Sequence, residues 1–403
     1  MAVGTRSLES VDIARLAATY RGRRILVTGH TGFKGSWLAL WLSESGADLT
    51  GLSLAPPTSP NHWDLLHLPI ADNRIDIRDA AAVSQLMQRA RPEIVFHLAA
   101  QALVRRSYRD PLETWATNVM GTANVLDACR HVDSVRAIVV VTTDKCYENQ
   151  ERDRGYLETD RLGGHDPYSA SKAGAEMVAA SYRSAFFGRE ARPLLATARA
   201  GNVIGGGDWS EDRLIPDLVR AAAAGRKLEV RSPTATRPWQ HVLESLSGYL
   251  SLGANLLEGH REFEGAWNFG PMLEDGLTVA GLLDRMLASW PGLAWTVSQR
   301  PDLHETRLLC LDSTKARQKL DWRPVWNLDT ALRATAQWYQ RYLESRQIDS
   351  RAQLRQYLAD AATRETAGAS AEAQANRRFE VASAEMSLNE LRALADRLSA
   401  FFR

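Results

Sequence analysis

A short apolar run that leads directly into evenly spaced glycines constrains the fold of this chain more than any other feature. Residues 24–28, RILVT, have the composition of a buried strand, and Gly29, Gly32 and Gly35 follow at three-residue spacing. A helical pattern over residues 33–45 begins inside this glycine segment. A glycine turn between a strand and a helix lets backbone N–H groups approach a pyrophosphate, whose charge the helix N-terminus stabilises. The pattern therefore predicts a dinucleotide site, with a tight turn that binds no ligand as the alternative, because the spacing differs from G-x-G-x-x-G.

Further apolar strand candidates alternate with helical patterns through the first half of the chain. They lie at residues 48–54, 73–77, 93–99, 136–143 and 194–200. Strands that lack polar alternation and are separated by helices indicate a parallel sheet covered on both faces. Residues 23–205 are therefore predicted to form an α/β dinucleotide-binding domain, a doubly wound Rossmann-type parallel sheet.

The pattern is less regular outside that region. Residues 206–345 are predicted to form mainly a smaller mixed α/β substrate-binding lobe, with strand candidates at 228–231 and 305–311. Residues 1–22 form an N-terminal segment, and residues 346–403 are predicted to be a helical C-terminal extension with a linker. A capping box at Ser387 and Glu390 precedes a last helical pattern, which either docks on the body or forms an oligomer contact.

Composition and charge exclude several classes of function. The 403 residues contain 49 Lys and Arg against 48 Asp and Glu, a formal net charge of +1. No broad positive field therefore favours nucleic acid or an acidic membrane surface. No apolar run reaches the roughly 18–20 residues of a membrane span, and the three widely spaced cysteines fit neither a disulfide framework nor a metal cluster. We expect a cytoplasmic protein with no metal, no nucleic-acid partner and no membrane partner.

Two further segments support a bound dinucleotide. Asp76 and Ile77 end the third strand candidate, where a carboxylate can accept a hydrogen bond from an adenine amino group; a surface aspartate is the alternative. Leu98 and Ala99 lie at the end of the fourth strand candidate, where small residues let a flat cofactor lie close to the sheet. The second strand candidate ends without an Asp or Glu for a ribose 2′-hydroxyl, so residue type does not decide between NAD and NADP.

Two residue groups indicate the chemistry. Tyr168 and Lys172 lie four residues apart at the start of a helix that Pro167 opens, so their side chains share one face. The charges of Lys172 and of an oxidised nicotinamide favour the phenolate of a tyrosine, whose pKa is ordinarily about 10. Residues 142–145, TTDK, end the fifth strand candidate and are expected to project into the same crevice, with an ordinary loop salt bridge as the alternative.

Five segments in family order resemble the nucleotide-sugar 4,6-dehydratases, a group within the extended short-chain dehydrogenase/reductase superfamily. They are TGHTGFKGSW at 28–37, TDKCY at 143–147, YSASK at 168–172, RAGNVIGGGDW at 199–209 and RPWQHV at 237–242. Relatives linked to deoxythymidine or guanosine diphosphate usually carry Asp-Glu where this chain has Asp144 and Lys145, and Asp-Lys is similar to the CDP-linked branch. The resemblance covers residue 23 to about residue 345.

This resemblance implies a hydro-lyase with tightly bound NAD that converts CDP-glucose into CDP-4-keto-6-deoxy-glucose. It implies that Tyr168 takes the proton of the 4-hydroxyl while a hydride passes from C4 to NAD⁺. Water then leaves across C5 and C6, and the hydride returns to C6. By the same resemblance, Thr143 binds the 4-oxygen, Asp144 is the acid toward the leaving 6-hydroxyl, and Lys145 stands where relatives place the C5 base.

The resemblance also implies the binding residues and the assembly. The residues expected to contact the cofactor are Gly29, Thr31, Gly32, Phe33, Gly35, Asp76, Ile77, Leu98, Ala99, Tyr168 and Lys172. The residues expected to contact the nucleotide sugar are Asn202, Arg237, His241, Asn268, Arg300 and His304, with the two arginines on the diphosphate. By analogy we expect a homodimer or a higher homo-oligomer.

Three alternative functions remain open from the sequence. One is a different nucleotide-sugar 4,6-dehydratase. Another is a 4-epimerase or reductase, which needs Tyr168 and Lys172 but not the Asp144–Lys145 pair. The third is a non-catalytic dinucleotide-binding scaffold protein, which has no physical need for Thr143, Tyr168 and Lys172 together.

Overall fold

The computed structural model describes residues 13–152, 154–188, 193–272, 277–298 and 308–364. The strands within these residues are β1 (Arg24–Thr28), β2 (Asp48–Ser53), β3 (Ala71–Arg74), β4 (Ile94–His97), β5 (Ala137–Val141), β6 (Leu194–Ala200), β7 (Asn202–Ile204), β8 (Leu228–Val230), β9 (Thr236–Arg237), β10 (Trp239–His241), β11 (Gly265–Phe269), β12 (Leu277–Thr278) and β13 (Trp295–Val297). Seven of them form one sheet in the order β11-β6-β5-β4-β1-β2-β3. Every neighbouring pair in it is parallel, which confirms the predicted doubly wound sheet.

Helices connect these strands. They are α1 (Ile13–Tyr20), α2 (Phe33–Glu44), α3 (His62–Leu66), α4 (Ala80–Ala90), α5 (Val104–Arg109), α6 (Pro111–Trp115), α7 (Gly121–Arg130), α8 (Pro167–Tyr182), α9 (Leu214–Ala223), α10 (Val242–Leu257), α11 (Val279–Ser289), α12 (Thr314–Lys319) and α13 (Leu328–Ser345). A π-helical turn, Ala116–Met120, joins α6 to α7, and a second, Arg183–Phe187, continues α8. Residues 350–364 are helical as well.

The central strands bury side chains on both faces of the sheet, which explains their apolar composition. Ile25 and Phe96 belong to a core shared with α2 and α10. Leu26 and Val95, one position along the same strands, belong to a second core shared with α4 and α7. Because successive side chains of a strand point to opposite faces, an uninterrupted apolar run is what two covered faces require.

The chain returns to the central sheet after leaving it, so residue 205 does not divide the fold in two. Strand β11 pairs in parallel with β6 at the edge of the sheet, and α10 packs against the same face as α2. Within β11, Trp267 and Phe269 are fully buried. The sequence analysis did not identify this strand, because its short GAWNF sequence lacks a continuous apolar run.

A smaller lobe lies beyond the carboxyl ends of the sheet strands. It contains the strand pairs β10 with β7, β12 with β9 and β13 with β8. Side chains from α9, α11 and α13 form its own apolar core, in which Leu218, Leu282 and Leu332 are fully buried. A mixed α/β lobe was predicted over residues 206–345, and the described residues show one. Helix α10 and strand β11 lie within those bounds but belong to the central sheet and its core instead.

The two ends of the described chain pack on the body. The hydroxyl of Tyr20 in α1 donates a hydrogen bond to the carbonyl of Leu250 in α10. Tyr357, in the helix over residues 350–364, packs edge-on against Trp41 and donates a hydrogen bond to the buried carboxylate of Glu244. The predicted C-terminal extension therefore begins as a packed helix, and its predicted last helix lies outside the described residues.

Candidate active site

The turn between β1 and α2 is closed to a degree that only glycine permits. Gly29 has φ +75°, and a Cβ there would lie 2.7 Å from the backbone nitrogen of Ala99. A Cβ on Gly35 would lie 2.0 Å from the carbonyl oxygen of Gly29. Gly32 is the N-cap residue of α2 and provides no side-chain cap. The first backbone N–H groups of α2 therefore remain available to a pyrophosphate.

One large cavity, of about 1730 Å³, lies at the carboxyl ends of the parallel strands. All of the predicted cofactor residues line it, namely Gly29, Thr31, Gly32, Phe33, Gly35, Asp76, Ile77, Leu98, Ala99, Tyr168 and Lys172. Of the predicted catalytic and substrate residues, Thr143, Lys145, Asn202 and Arg237 line it too. The cavity therefore brings together the glycine turn and the residues proposed for catalysis, as ligand sites of open α/β sheets require.

At the predicted adenosine end of the cavity, hydroxyl groups lie at the end of β2, where many dinucleotide sites have an Asp or Glu that binds the ribose. The hydroxyls of Thr31 and Ser53 lie 2.7 Å apart, and the hydroxyl of Thr31 also donates to the carbonyl of Leu54. Asp76 forms two hydrogen bonds with the side chain of Arg78, of 2.6 and 2.9 Å. Arg78 lowers the pKa of the Asp76 carboxyl, so this group is an anion at neutral pH.

The residues after β5 form a buried polar turn. The hydroxyl of Thr143 donates to the carboxyl of Asp144 over 2.9 Å. Asp144 is 2% exposed and lies just behind the cavity lining, and one of its oxygens would be 3.0 Å from a Cβ on Gly201. Burial raises the pKa of Asp144 and lowers the pKa of Lys145. Loss of hydration thus favours the neutral form of both groups.

Helix α8 presents Tyr168 and Lys172 to the same cavity. Pro167 is its first residue, and the side chain of Asp166 caps it by accepting a hydrogen bond from the backbone of Ser169. The ammonium of Lys172 donates to the carbonyl of Val141, the last residue of β5, over 3.2 Å. Burial raises the pKa of Tyr168 to about 12 and lowers the pKa of Lys172 to about 8.

A buried ion pair that the sequence analysis missed fastens α8 to the sheet. Glu176, one turn after Lys172, forms hydrogen bonds of 2.8 and 2.9 Å with Arg199 of β6. Its carboxylate also accepts hydrogen bonds from Thr142 and Thr197, over 2.5 and 2.7 Å. Two features of the sequence could have indicated this ion pair. Glu176 lies four residues after Lys172, on the same helix face, and Arg199 is the first residue of the family segment at 199–209.

Two residues predicted to bind substrate do not line the cavity. Asn268 is fully buried, and its side-chain amide hydrogen-bonds the hydroxyl of Tyr147 and the carbonyls of Tyr156 and Asp312. His241 is fully buried as the N-cap residue of α10 and packs edge-on against Trp326. The Asn268 amide is thus engaged by the surrounding loops, and Nδ1 of His241 accepts a hydrogen bond from the backbone of Leu243 at the start of α10.

Three arginines that no motif identified line the lobe side of the cavity. They are Arg105, Arg213 and Arg231. Arg105 forms an ion pair of 3.3 Å with Asp212, so a side chain of α5 reaches the loop before α9. The predicted arginine, Arg237, lies among them on β9. The other predicted diphosphate ligand, Arg300, and the predicted polar partner His304 lie outside the described residues.

Within the described ranges, no group of three or more His, Cys, Asp or Glu side chains is placed to hold a metal ion. None of the helices in those ranges is both long enough and apolar enough to span a membrane.

A sequence profile of the NAD dependent epimerase/dehydratase family matches residues 25–263. The chain belongs to this family. Among curated proteins, it is 43% identical over 348 residues to the CDP-glucose 4,6-dehydratase of Salmonella typhimurium, a match that covers 84% of this chain and 97% of that protein.

Solved structures share the fold. An epimerase of Methanothermobacter thermautotrophicus superposes with a TM-score of 0.72 at 25% identity, over 82% of this chain and 96% of that one. The UDP-glucose 4-epimerase of Brucella ovis, solved in complex with NAD, has a TM-score of 0.68 at 25% identity, over 78% of this chain and 98% of that one. The family depends on NAD, and the glycine turn fits this cofactor because the N-cap residue Gly32 leaves the first backbone N–H groups of α2 without a side-chain partner, available to a pyrophosphate.

Substituting the glycines of the turn tests its role in cofactor binding. We expect Gly35→Ala to weaken NAD binding by at least about tenfold, because the added methyl group must push the turn open. Gly281→Ala on α11 is the matched control, since Gly281 does not line the cavity and its Cβ would lie 3.3 Å from the nearest atom, the side-chain oxygen of Thr278. Titration calorimetry with NAD measures both. Equal affinities for the two variants would contradict a turn closed around the pyrophosphate.

Proposed function

We propose that this protein is a CDP-glucose 4,6-dehydratase, which converts CDP-glucose into CDP-4-keto-6-deoxy-glucose. The observation that carries the proposal is the convergence of the glycine turn, Tyr168, Lys172, Thr143 and Lys145 on one cavity. The 43% identity to a named CDP-glucose 4,6-dehydratase supports the choice of reaction and of nucleotide. Bound NAD supplies the hydride acceptor at C4 and the hydride donor at C6.

Oxidation at C4 requires a base and a fixed oxygen. We assign the base to the phenol of Tyr168 and the positioning of the 4-oxygen to the hydroxyl of Thr143. Burial holds the pKa of Tyr168 at about 12 without ligands, while its hydrogen bond with Thr143 lowers it. The ammonium of Lys172, one turn later on the same face, favours the phenolate, as does a positively charged nicotinamide. The tyrosine therefore becomes a competent base when the cofactor is oxidised.

Elimination across C5 and C6 requires a proton acceptor and a proton donor. The 4-ketone acidifies the proton on C5, and we assign its removal to the amine of Lys145, whose pKa burial lowers. Asp144 gives its proton to the 6-hydroxyl as the C6–O bond breaks, so water leaves and a C5=C6 double bond forms. Burial raises the pKa of Asp144, which favours the protonated carboxyl that this step requires. Gly201 leaves the space in front of that carboxyl open.

The substrate diphosphate needs local cations because the chain carries almost no net charge. We assign this role to Arg237, with Arg213 and Arg231 on the same side of the cavity. Asn202, at the start of β7, lines the cavity and has an amide suited to a sugar hydroxyl. A guanidinium group binds phosphate oxygens in pairs, which suits a diphosphate better than a point charge does.

We also propose that the protein is a homodimer that buries one apolar helical face. Large apolar side chains are exposed on the neighbouring helices α6 and α8 and on their π-helical extensions: Leu112 (79%), Trp115 (40%), Met120 (58%), Met177 (61%) and Phe186 (38%). Ion pairs border this face: Arg106 of α5 pairs with Glu113 of α6, and Arg130 pairs with Asp127 on α7, where the Arg130 guanidinium lies over the ring of Phe186. A face that carries both signs of charge suits a second copy related by a two-fold axis.

Turnover of nucleotide sugars tests the reaction. With catalytic NAD and no added reductant, we expect the wild-type protein to convert CDP-glucose into the 4-keto-6-deoxy product faster than it converts the UDP-, dTDP- or GDP-linked sugars, with products identified by NMR. Tyr168→Phe is expected to lower kcat by about 100- to 10,000-fold while NAD affinity changes little. An epimerised hexose as the product, or preference for another nucleotide, would refute the proposal.

Solvent deuterium tests the proposed base. We expect Lys145→Ala to form the reduced cofactor at C4 oxidation but to lose most deuterium exchange at C5, because no amine remains to remove that proton. Thr159→Ala is a suitable control, since Thr159 lines a separate, smaller cavity. Exchange at C5 that proceeds at the wild-type rate in Lys145→Ala would remove the lysine from this role.

A charged substitution on the apolar face tests the proposed dimer interface. We expect the wild-type protein to sediment as a dimer and Met177→Glu to sediment as a monomer, because the introduced carboxylate loses its hydration in the interface. Val297→Glu is the control, since Val297 is 55% exposed on β13 in the smaller lobe. A monomeric wild type, or a Met177→Glu variant that remains dimeric, would contradict this interface.

A further inference from the structure

A lysine on the glycine turn has no role in the steps proposed above. Lys34 lies in the first turn of α2, between Phe33 and Gly35, and lines the cavity. Its ammonium donates a hydrogen bond to the hydroxyl of Tyr249 over 3.3 Å and lies 5.8 Å from the centre of that ring. Tyr249 is fully buried on α10. A cation is disfavoured at the positive end of a helix and in a buried site, so a charged Lys34 gains stability from an anion that forms nearby.

The acidic group that acts on Lys34 is Asp144, which raises the pKa of the lysine and becomes an anion once it has given up its proton. Three cations act on its carboxyl through space: Lys145, Lys34 and Arg237. In the proposed reaction Lys145 must be uncharged to accept the C5 proton, and Arg237 is assigned to the diphosphate. Lys34 is thus the member of this group whose positive charge is not assigned to another step or ligand while Asp144 gives up its proton.

We propose that Lys34 is a positioning residue for the dehydration step, whose ammonium, anchored by Tyr249, stabilises the carboxylate that Asp144 becomes on protonating the departing 6-hydroxyl. The inference rests on the proposed function and deepens it. When the C6–O bond breaks, the Asp144 proton leaves with the water and one negative charge stays in a buried turn. A fixed positive charge in a cavity shielded from water stabilises such a charge far more than it would in solution.

The surroundings of Lys34 indicate how this step depends on pH. Burial lowers the pKa of Lys34 to about 7, Arg213 and Lys172 lower it, and Asp144 raises it. From α10, the hydroxyl of Tyr249 faces Lys34. Burial raises the pKa of Tyr249, so this partner is neutral. Lys34 is charged below its pKa, so the elimination step is expected to slow as the pH rises through about 7.

Single-turnover kinetics with NAD and CDP-glucose test the inference. The absorbance of the reduced nicotinamide rises when C4 is oxidised. It falls when the hydride returns to C6, which follows elimination. In Lys34→Met we expect oxidation at nearly the wild-type rate and elimination slowed on the order of 100-fold, so that reduced cofactor accumulates. Lys34→Arg, which keeps the charge, should recover most of the rate and lose the decline near neutral pH. Tyr249→Phe should slow the same step less.

Three results would overturn the inference. Lys34→Met that weakens NAD binding in a titration but leaves elimination unchanged would place the lysine in the cofactor site. Equal slowing of oxidation and elimination, or no rescue by Lys34→Arg, would indicate a structural role. Lys319→Met, at an exposed lysine of α12, controls for loss of a positive charge. If the wild-type protein dehydrates no nucleotide sugar, the proposed function fails, which this assay shows before any variant is compared.

Discussion

The carboxylate of Glu176 is the group on which the geometry of the site depends. It is 3% exposed and is bound by Thr142 at the end of β5 and by Thr197 and Arg199 of β6. Removing one partner of a buried ion pair leaves an uncompensated charge, at a cost of about 3–5 kcal/mol. Because Glu176 is part of α8, the helix must lie in one position against the two strands for its carboxylate to reach all of these partners. The same position places Tyr168 and Lys172, two turns and one turn earlier, at the end of β5.

Burial at that strand end acts on several ionisable groups at once, and its effects are chemically consistent. It raises the pKa of the Asp144 carboxyl and lowers the pKa of the Lys145 amine. Loss of water thus favours a neutral acid beside a neutral base, although their mutual attraction favours the ion pair. The proposed elimination needs the neutral state at its start, because the proposed acid must hold a proton and the proposed base must lack one. The low polarity that makes these groups costly to bury is therefore what suits them to the proposed roles.

Local patterns in the sequence predicted much of the site, whereas long-range pairing could not be predicted. The glycine turn and the spacing of Tyr168 and Lys172 each lie within one strand-turn-helix unit or one helix, so their geometry follows from neighbouring residues. Strand β11 depends on pairing with β6, which local periodicity does not encode. Asn268 was predicted to bind substrate, yet partners from two separate loops occupy its amide. Residue type alone does not distinguish a polar group that faces a ligand from one satisfied inside the fold.

The return of the chain to the sheet has a consequence for how the two ligands act on each other. From β9 through β10 into α10, one continuous stretch carries Arg237, assigned to the diphosphate, and Tyr249, which holds Lys34 on the cofactor turn. Helix α10 packs in the same core as α2, so the stretch that begins with β9 is joined to the glycine turn by buried contacts. The glycine turn and the proposed diphosphate site thus belong to one packed unit, because the chain between them runs through the core that α2 and α10 share.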